Sequence, residues 1–334
     1  MNASGASLRL GSGRAAGEPK VAGRPWRLPV DFLFHKLAVF AAFLAAAALF
    51  ATVIAIAYDS RISIHAFGVW HFLKSSEWNP VTQNFGAFPF IIGTLVSSAI
   101  AMVLAVPVSF GVAVFIAEIA PSWIKKLVAG AIELLAAIPS IVYGLWGLLV
   151  FAPAFSQIEP WISQYLGSIP GIGLLFQGPP VGIGMLTAGI VLAIMILPYI
   201  SSIMRDVFIA VPASMRESAY AMGATTWEVA WEIILPYTRS AVIGGVFLGL
   251  GRALGETMAV TFVIGNSNVL SASLLMPGAT IPSVLANEFT EATTPLYLSS
   301  LIYLGLVLIA VTLVVQVLAL LLVRRLGRRE GTAT

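Results

Sequence analysis

Two ionisable side chains stand four residues apart in one of the most apolar stretches of the chain: Arg252 and Glu256, in GLGRALGETMAV (residues 249–260). On a helix that spacing puts both on one face, about 6 Å apart along the axis, where they can pair. The pairing is a poor source of stability. Arginine at the centre of a membrane helix costs roughly 2.5–3.5 kcal/mol on insertion scales. Arginine before glutamate is the weaker order for a helical pair, and a buried ion pair often adds nothing net. Two readings remain. In one, the guanidinium is a planar, permanently charged fork for an oxyanion, and the carboxylate neutralises it between arrivals. In the other, the two form an interhelical salt bridge that orients the helix. Thr257 beside them offers a hydroxyl donor, although threonine also packs commonly between membrane helices.

The elements that must hold this pair lie in lipid. The chain has 334 residues, 59% hydrophobic and only 10% charged, with mean hydropathy +0.95; a soluble domain carries about 25% charged residues. Apolar runs recur at the length of about 20 residues that a helix needs to cross a bilayer, and the alternating segments of a β-barrel are absent. The fold class is therefore all-α and polytopic, with six spans expected over residues 36–58, 89–119, 127–151, 181–208, 240–264 and 296–323. Pro107, Pro139 and Pro198 fall within them, and kinks are expected there. Of the 18 lysines and arginines, only Arg61, Lys74 and Arg252 lie away from the two termini and the connections between spans two and three and between four and five. The positive-inside rule then places both termini and those connections in the cytoplasm.

Residues 1–35 read as a cytoplasmic, largely disordered basic tail, residues 36–323 as the transmembrane domain, and residues 324–334 as a second basic tail. The basic balance is a topology signal, and with no basic–aromatic groove it points to no nucleic acid. There are no cysteines, so no disulfide or thiolate site is possible. His35, His65 and His71 show no metal-ligand spacing, with His65 and His71 expected in solvent-facing loops, so no metal or cofactor is expected. Trp70, Trp78, Phe85 and Phe88 outside span one read as headgroup anchors. Glu118 and Glu133 read as local charge pairs for Lys125 and Lys126. Glu288 and Glu291 lie in the last outside loop, facing a basic patch on a partner or water. The residues around 140–145 read as helix packing.

The longest cytoplasmic connection, residues 209–239, holds ESAYAMGATTWEVAWEIILP. A short helix is expected from Pro212 and Ser214 to Gly223, and a second from Thr225 or Thr226 to Ile234, ending before Pro236. Glu217-Ser218-Ala219, Gly223 with nine residues between it and Ile233, and then Leu235-Pro236 resemble the EAA motif of bacterial ABC importer permeases. Ser218 for alanine is the one departure. Residues 85–95, 133–151 and 249–266 are similar to the PstC-type permeases of bacterial phosphate importers, and the resemblance runs over residues 31–325.

This resemblance implies a type I importer permease that forms half of a phosphate pathway in the bacterial plasma membrane. A homologous PstA-type permease would complete the pore. Two ATPase subunits would dock on Glu217, Ser218, Ala219, Gly223, Leu235 and Pro236, and an extracytoplasmic binding protein would deliver phosphate. Arg252 and Glu256 are the residues the resemblance points to for transport. The chain itself would catalyse nothing: none of its lysines follows a glycine, so it has no phosphate-cradling P-loop. The alternatives are a permease for sulfate or molybdate, and a self-contained channel or proton-coupled carrier with Glu256 as relay.

Overall fold

A computed structural model describes the backbone of residues 29–330 and the side chains of residues 32–321 and 323. The expected disorder of the leading tail lies, up to residue 28, outside the described residues, and so do residues 331–334. The first helix, α1 (Pro29–Asp59), starts before the expected edge at residue 36. The chain divides into two units, up to Val53 and from Ile54. Described by itself, the first is the leading part of α1, with Phe43 and Phe50 exposed as suits a lipid-facing span.

From Ile54 the order is the end of α1, α2 (Arg61–Phe67), α3 (Val69–Lys74), the hairpin β1 (Trp78–Asn79) and β2 (Asn84–Phe85), and α4 (Phe88–Val114). Then come α5 (Ser122–Ala137), α6 (Ser140–Trp146), α7 (Ala152–Leu166), α8 (Met185–Ile209), α9 (Ala213–Ala221) and α10 (Thr226–Glu228). The chain finishes with α11 (Leu235–Leu254), α12 (Met258–Val263), α13 (Ile281–Glu288) and α14 (Pro295–Glu330). Among the described residues, six helical stretches are long and apolar enough to cross a membrane: Phe32–Asp59, Phe88–Ile119, Ser140–Leu166, Met185–Ile209, Thr226–Leu254 and Pro295–Leu321.

Two of these stretches differ from the expectation. The third span is Ser140–Leu166, not residues 127–151. The earlier apolar run is the separate helix α5, which buries Ile132 and leaves Leu127 and Leu134 exposed. Pro139 stands between α5 and α6 instead of kinking a span, because the residue before a proline is driven to extended backbone, as Ile138 is at ψ 130°. The fifth stretch starts at Thr226 and ends at Leu254, so the second helix of the 209–239 connection does not stop before Pro236. A π turn over Val229–Ile234 leads straight into α11. Proline lacks an N–H, and its ring collides with the carbonyl four residues back; a turn wound one residue wider moves that carbonyl aside. The same device, Gly147–Phe151, carries the third span past Pro153.

The core of the second unit is the pair α4 and α8, its most extensively packed helices, with Leu192, Ile196, Ile200, Met204 and Phe208 of α8 fully buried. Pro198 interrupts the α8 ladder, and Ser109 Oγ on α4 donates to the Leu197 carbonyl at 3.1 Å. In lipid the apolar surface gains nothing from leaving water, so close backbone approach drives association. Gly245 and Gly249 supply it on α11: a Cβ at Gly249 would lie 2.6 Å from Ile200 Cδ1, and one at Gly245 2.9 Å from Ile203 Cγ2. The expected packing role of residues 140–145 is what the structure shows, with Tyr143 and Gly144 buried and α6 against α12.

The segment expected to be a loop with headgroup anchors, residues 59–88, is folded. His65 and His71 sit exposed on its short helices α2 and α3. Phe72, Trp78, Phe85, Phe90 and Tyr297 form a buried aromatic cluster, while Trp70 remains exposed. Removing Phe72 or Phe85 from water contributes about 1.5–3 kcal/mol each. Glu288, expected to face a partner or water, accepts hydrogen bonds from Trp78 Nε1 at 2.6 Å, Tyr297 OH at 2.7 Å and Asn268 Nδ2 at 3.2 Å. It joins the hairpin, the 264–280 loop, α13 and α14.

The glycine contact gives a stability prediction. Gly249→Val is expected to cost about 1–3 kcal/mol by overpacking, read as a lower thermal midpoint of the detergent-purified protein. Gly244→Ala, whose Cβ would meet nothing within 4 Å, is expected to leave the midpoint unchanged.

Candidate functional site

Arg252 lies in the last turn of α11, and its side chain is exposed in this chain. It is thirteen residues beyond Arg239, about 20 Å along the helix axis, within the stretch Thr226–Leu254 that is long and apolar enough to cross a membrane. Its guanidinium carbon sits 5.4 Å from the centroid of the Tyr199 ring. Tyr199 follows Pro198 on α8, and the close α8–α11 packing at Gly249 brings the ring under the arginine.

The expected pair with Glu256 is not made: among the described residues, no ion pair joins Arg252 to Glu256. The reason is local. The helix ends at Leu254, with Gly255 as its C-cap, and the next helix starts only at Met258. Glycine has the lowest helix propensity after proline, and the four-residue spacing loses its common face once the helix stops. Glu256 Oε1 instead accepts from the backbone N–H of Ala259 at 3.3 Å. That puts the carboxylate at the start of α12, where free N–H groups favour negative charge. Thr257 is the residue before α12, and its Oγ1 reaches the Gly255 carbonyl at 3.4 Å.

Residues 255–257 thus form a non-helical break inside a membrane protein. Irregular backbone at that depth is tolerated only where it is buried in protein or lines a watery cavity. Gly255 is exposed and Glu256 and Thr257 are half-buried. A groove of about 720 Å³ runs along the break, lined by Gly255, Thr257 and Met258 with Leu301, Gly305 and Leu308 facing them. A more polar pocket of about 600 Å³ lies elsewhere, around Lys74, Glu77, Asn79 and Asn268, and touches none of the expected site residues.

The second set of expected residues forms a compact knob. Helix α9 ends in a Schellman turn: the Ala224 N–H bonds to the Ala219 carbonyl at 3.1 Å and the Gly223 N–H to the Tyr220 carbonyl at 3.0 Å. Gly223 takes φ +90°, a left-handed value that favours glycine. Thr225 then caps α10 in a reciprocal capping box with Glu228. Glu217, Ser218 and Gly223 face outward, Ala219 is buried beneath them, and Leu235 and Pro236 sit at the start of α11.

The sequence reading missed the inner side of this knob. Glu118 pairs with Arg216 at 3.2 Å and Glu133 with Arg205 at 3.1 Å, not with the nearby lysines. Lys125 Nζ instead donates to the Ala117 carbonyl at 2.7 Å. Tyr199 was likewise missed; an aromatic residue next to a mid-span proline on α8 was the available signal.

A family described as binding-protein-dependent transport system inner membrane component matches residues 109–329. The phosphate transport system permease protein PstC of Xylella fastidiosa is 55% identical over 302 residues, 90% of this chain and 93% of that protein. The protein of the same name from Pasteurella multocida is 49% identical over 303 residues, 90% of this chain and 94% of its own. Among solved structures, a bacterial alginate ABC transporter in complex with an alginate pentasaccharide-bound periplasmic protein is similar in fold. Its TM-score is 0.60 at 16% identity, over 89% of this chain and 96% of that chain.

The turn at Gly223 gives the prediction of this site. Gly223→Ala forces a side chain into left-handed backbone at about 1–2 kcal/mol. It is expected to release the Gly223 and Ala224 amides to faster hydrogen exchange, while Met222→Ala keeps them protected.

Proposed function

Because the chain belongs to the binding-protein-dependent transport system inner membrane components, we propose that it is the permease subunit of an ATP-driven phosphate importer. Both termini and the knob face the cytoplasm of a bacterial plasma membrane. A homologous PstA-type permease completes the pathway, two ATPase subunits bind the knob, and an extracytoplasmic binding protein delivers phosphate. The chain carries no covalent chemistry of its own. The observation that carries this reading is a cation at membrane depth beside an exposed break in the helix. A cation–π contact, worth about 0.5–2 kcal/mol, leaves the charge of Arg252 without a counter-ion. The arginine therefore has an electrostatic deficit that an arriving anion fills. Planar guanidinium N–H groups match phosphate oxygens two at a time.

Glu256 acts as the competitor in this reading. Its hydrogen bond to Ala259 is long, and the break at Gly255 gives it room to swing onto Arg252 as the anion leaves. Thr257 lines the groove beside them, its hydroxyl only weakly engaged. The knob supplies the other half of the function. Glu217, Ser218 and Gly223 face a docking partner, and Ala219, Leu235 and Pro236 shape the turn behind them. From the knob a single helical stretch, Thr226–Leu254, runs to Arg252. The lock on the pathway and the seat of the motor are thus two ends of one rod.

Arg252→Gln is expected to lower phosphate uptake by reconstituted complex about 10- to 100-fold, the worth of a charge-assisted hydrogen bond, with all subunits still co-purifying. Wild-type uptake, or loss of the complex, removes this reading.

A further inference from the structure

We propose that Glu118 is the joint through which movement of α9 reaches the core helix pair; the inference rests on the permease reading above. Arg216 and Tyr220 stand one turn apart on the inner face of α9 and converge on this one carboxylate. Arg216 Nη1 lies 3.2 Å from Glu118 Oε1, and Tyr220 OH donates to Glu118 Oε2 at 3.2 Å. Glu118 belongs to the π turn Phe115–Ile119 at the end of α4, and its side chain is 5% exposed. The same guanidinium donates through Nη2 to the Phe208 carbonyl in the last turn of α8. One arginine thus holds the ends of both core helices at once, and α9 is tied to them by its inner face while Glu217 and Ser218 stay free on the outer one.

The clasp is built to move. Breaking a buried pair is costly, yet such pairs add little net stability, so fastening alone is a weak reason for one here. This clasp is also incompletely satisfied: Glu118 Oε1 and Arg216 Nε are buried and lack a hydrogen-bond partner among the described residues. The Arg216 Nη1–Glu118 Oε1 contact is an ion pair by distance, without the alignment of a hydrogen bond. A rotation of α9 can therefore improve these contacts as readily as break them. Burial raises the Tyr220 phenol above its usual value, so the tyrosine remains a donor at neutral pH.

The rod Thr226–Leu254 offers a separate route from the knob into the membrane, and the two routes predict different outcomes. If the joint transmits force, Glu118→Gln should lower phosphate moved per ATP hydrolysed by about fivefold or more, within the range of coupling energies between sites. The measurement uses the full complex in proteoliposomes with loaded binding protein, and assembly is checked by co-purification. Arg216→Lys, which cannot reach Glu118 and the Phe208 carbonyl together, should show the same loss. Tyr220→Phe should show a smaller one. An unchanged ratio in Glu118→Gln overturns the proposal, whether or not the absolute rates fall, and so does loss of the ATPase subunits from that variant. A wild-type complex that moves another oxyanion but not phosphate would overturn the substrate reading, and the ratio measured with that oxyanion would still decide the joint.

Discussion

A guanidinium on a helix long and apolar enough to cross a membrane must be solvated by whatever surrounds it, and Arg252 stands near the end of such a helix. The guanidinium carbon lies 5.4 Å from the centroid of the Tyr199 ring, an aromatic contact where a carboxylate was expected. The ring of Tyr199 is available because α8 carries it beside Pro198, where Ser109 donates to the Leu197 carbonyl. It is close because glycine lets α11 pack onto α8 with almost no gap. The break at Gly255 withdraws Glu256 from the helix face and leaves the arginine under-neutralised.

The ends of the chain's longest rods are where the charges gather. The stretch from Thr226 runs through a π turn and past Pro236 without losing its helix. The ion pair of Glu118 ties α9, just before that rod, to the end of α4, and that of Glu133 ties α5 to α8. Three π turns occur among the described residues, and each ends two residues before a proline: Ile119 before Pro121, Phe151 before Pro153, Ile234 before Pro236. At Pro153 and Pro236 the helix continues past the widened turn, whereas after Ile119 the chain becomes extended at Ala120 and Pro121 and a new helix starts at Ser122.

The parts legible in the sequence were those written locally. Six membrane-length stretches and the Gly223 turn follow from composition and spacing over at most about 20 residues. The misreadings have a common origin. The run at 127–138 is as apolar as a span, yet it forms a separate helix because Pro139 cuts it off before it is long enough. The Arg252–Glu256 spacing implies a pair only if the helix continues, and Gly255 ends it. Glu118 and Glu133 have lysines nearby in the chain, but their arginines arrive from 98 and 72 residues away, a proximity that only the packing of α9 and α8 on α4 and α5 creates. The aromatic cluster of residues 59–88 looks like a set of membrane anchors until α14 supplies Tyr297 and Tyr303 as its far wall.

The carboxylate of Glu288 has one further consequence, which concerns time. Its bond to Trp78 closes a loop of 210 residues, and its bond to Tyr297 uses the first turn of the last span. During synthesis the hairpin and the early helices leave the ribosome long before their anchor exists. The aromatic cap can therefore set only when the sixth span has entered the bilayer, and until then the nascent chain displays unburied tryptophan and phenylalanine. A product that stops before the sixth span lacks Tyr297, Leu301, Tyr303 and Leu304, so part of the surface those side chains would cover stays open.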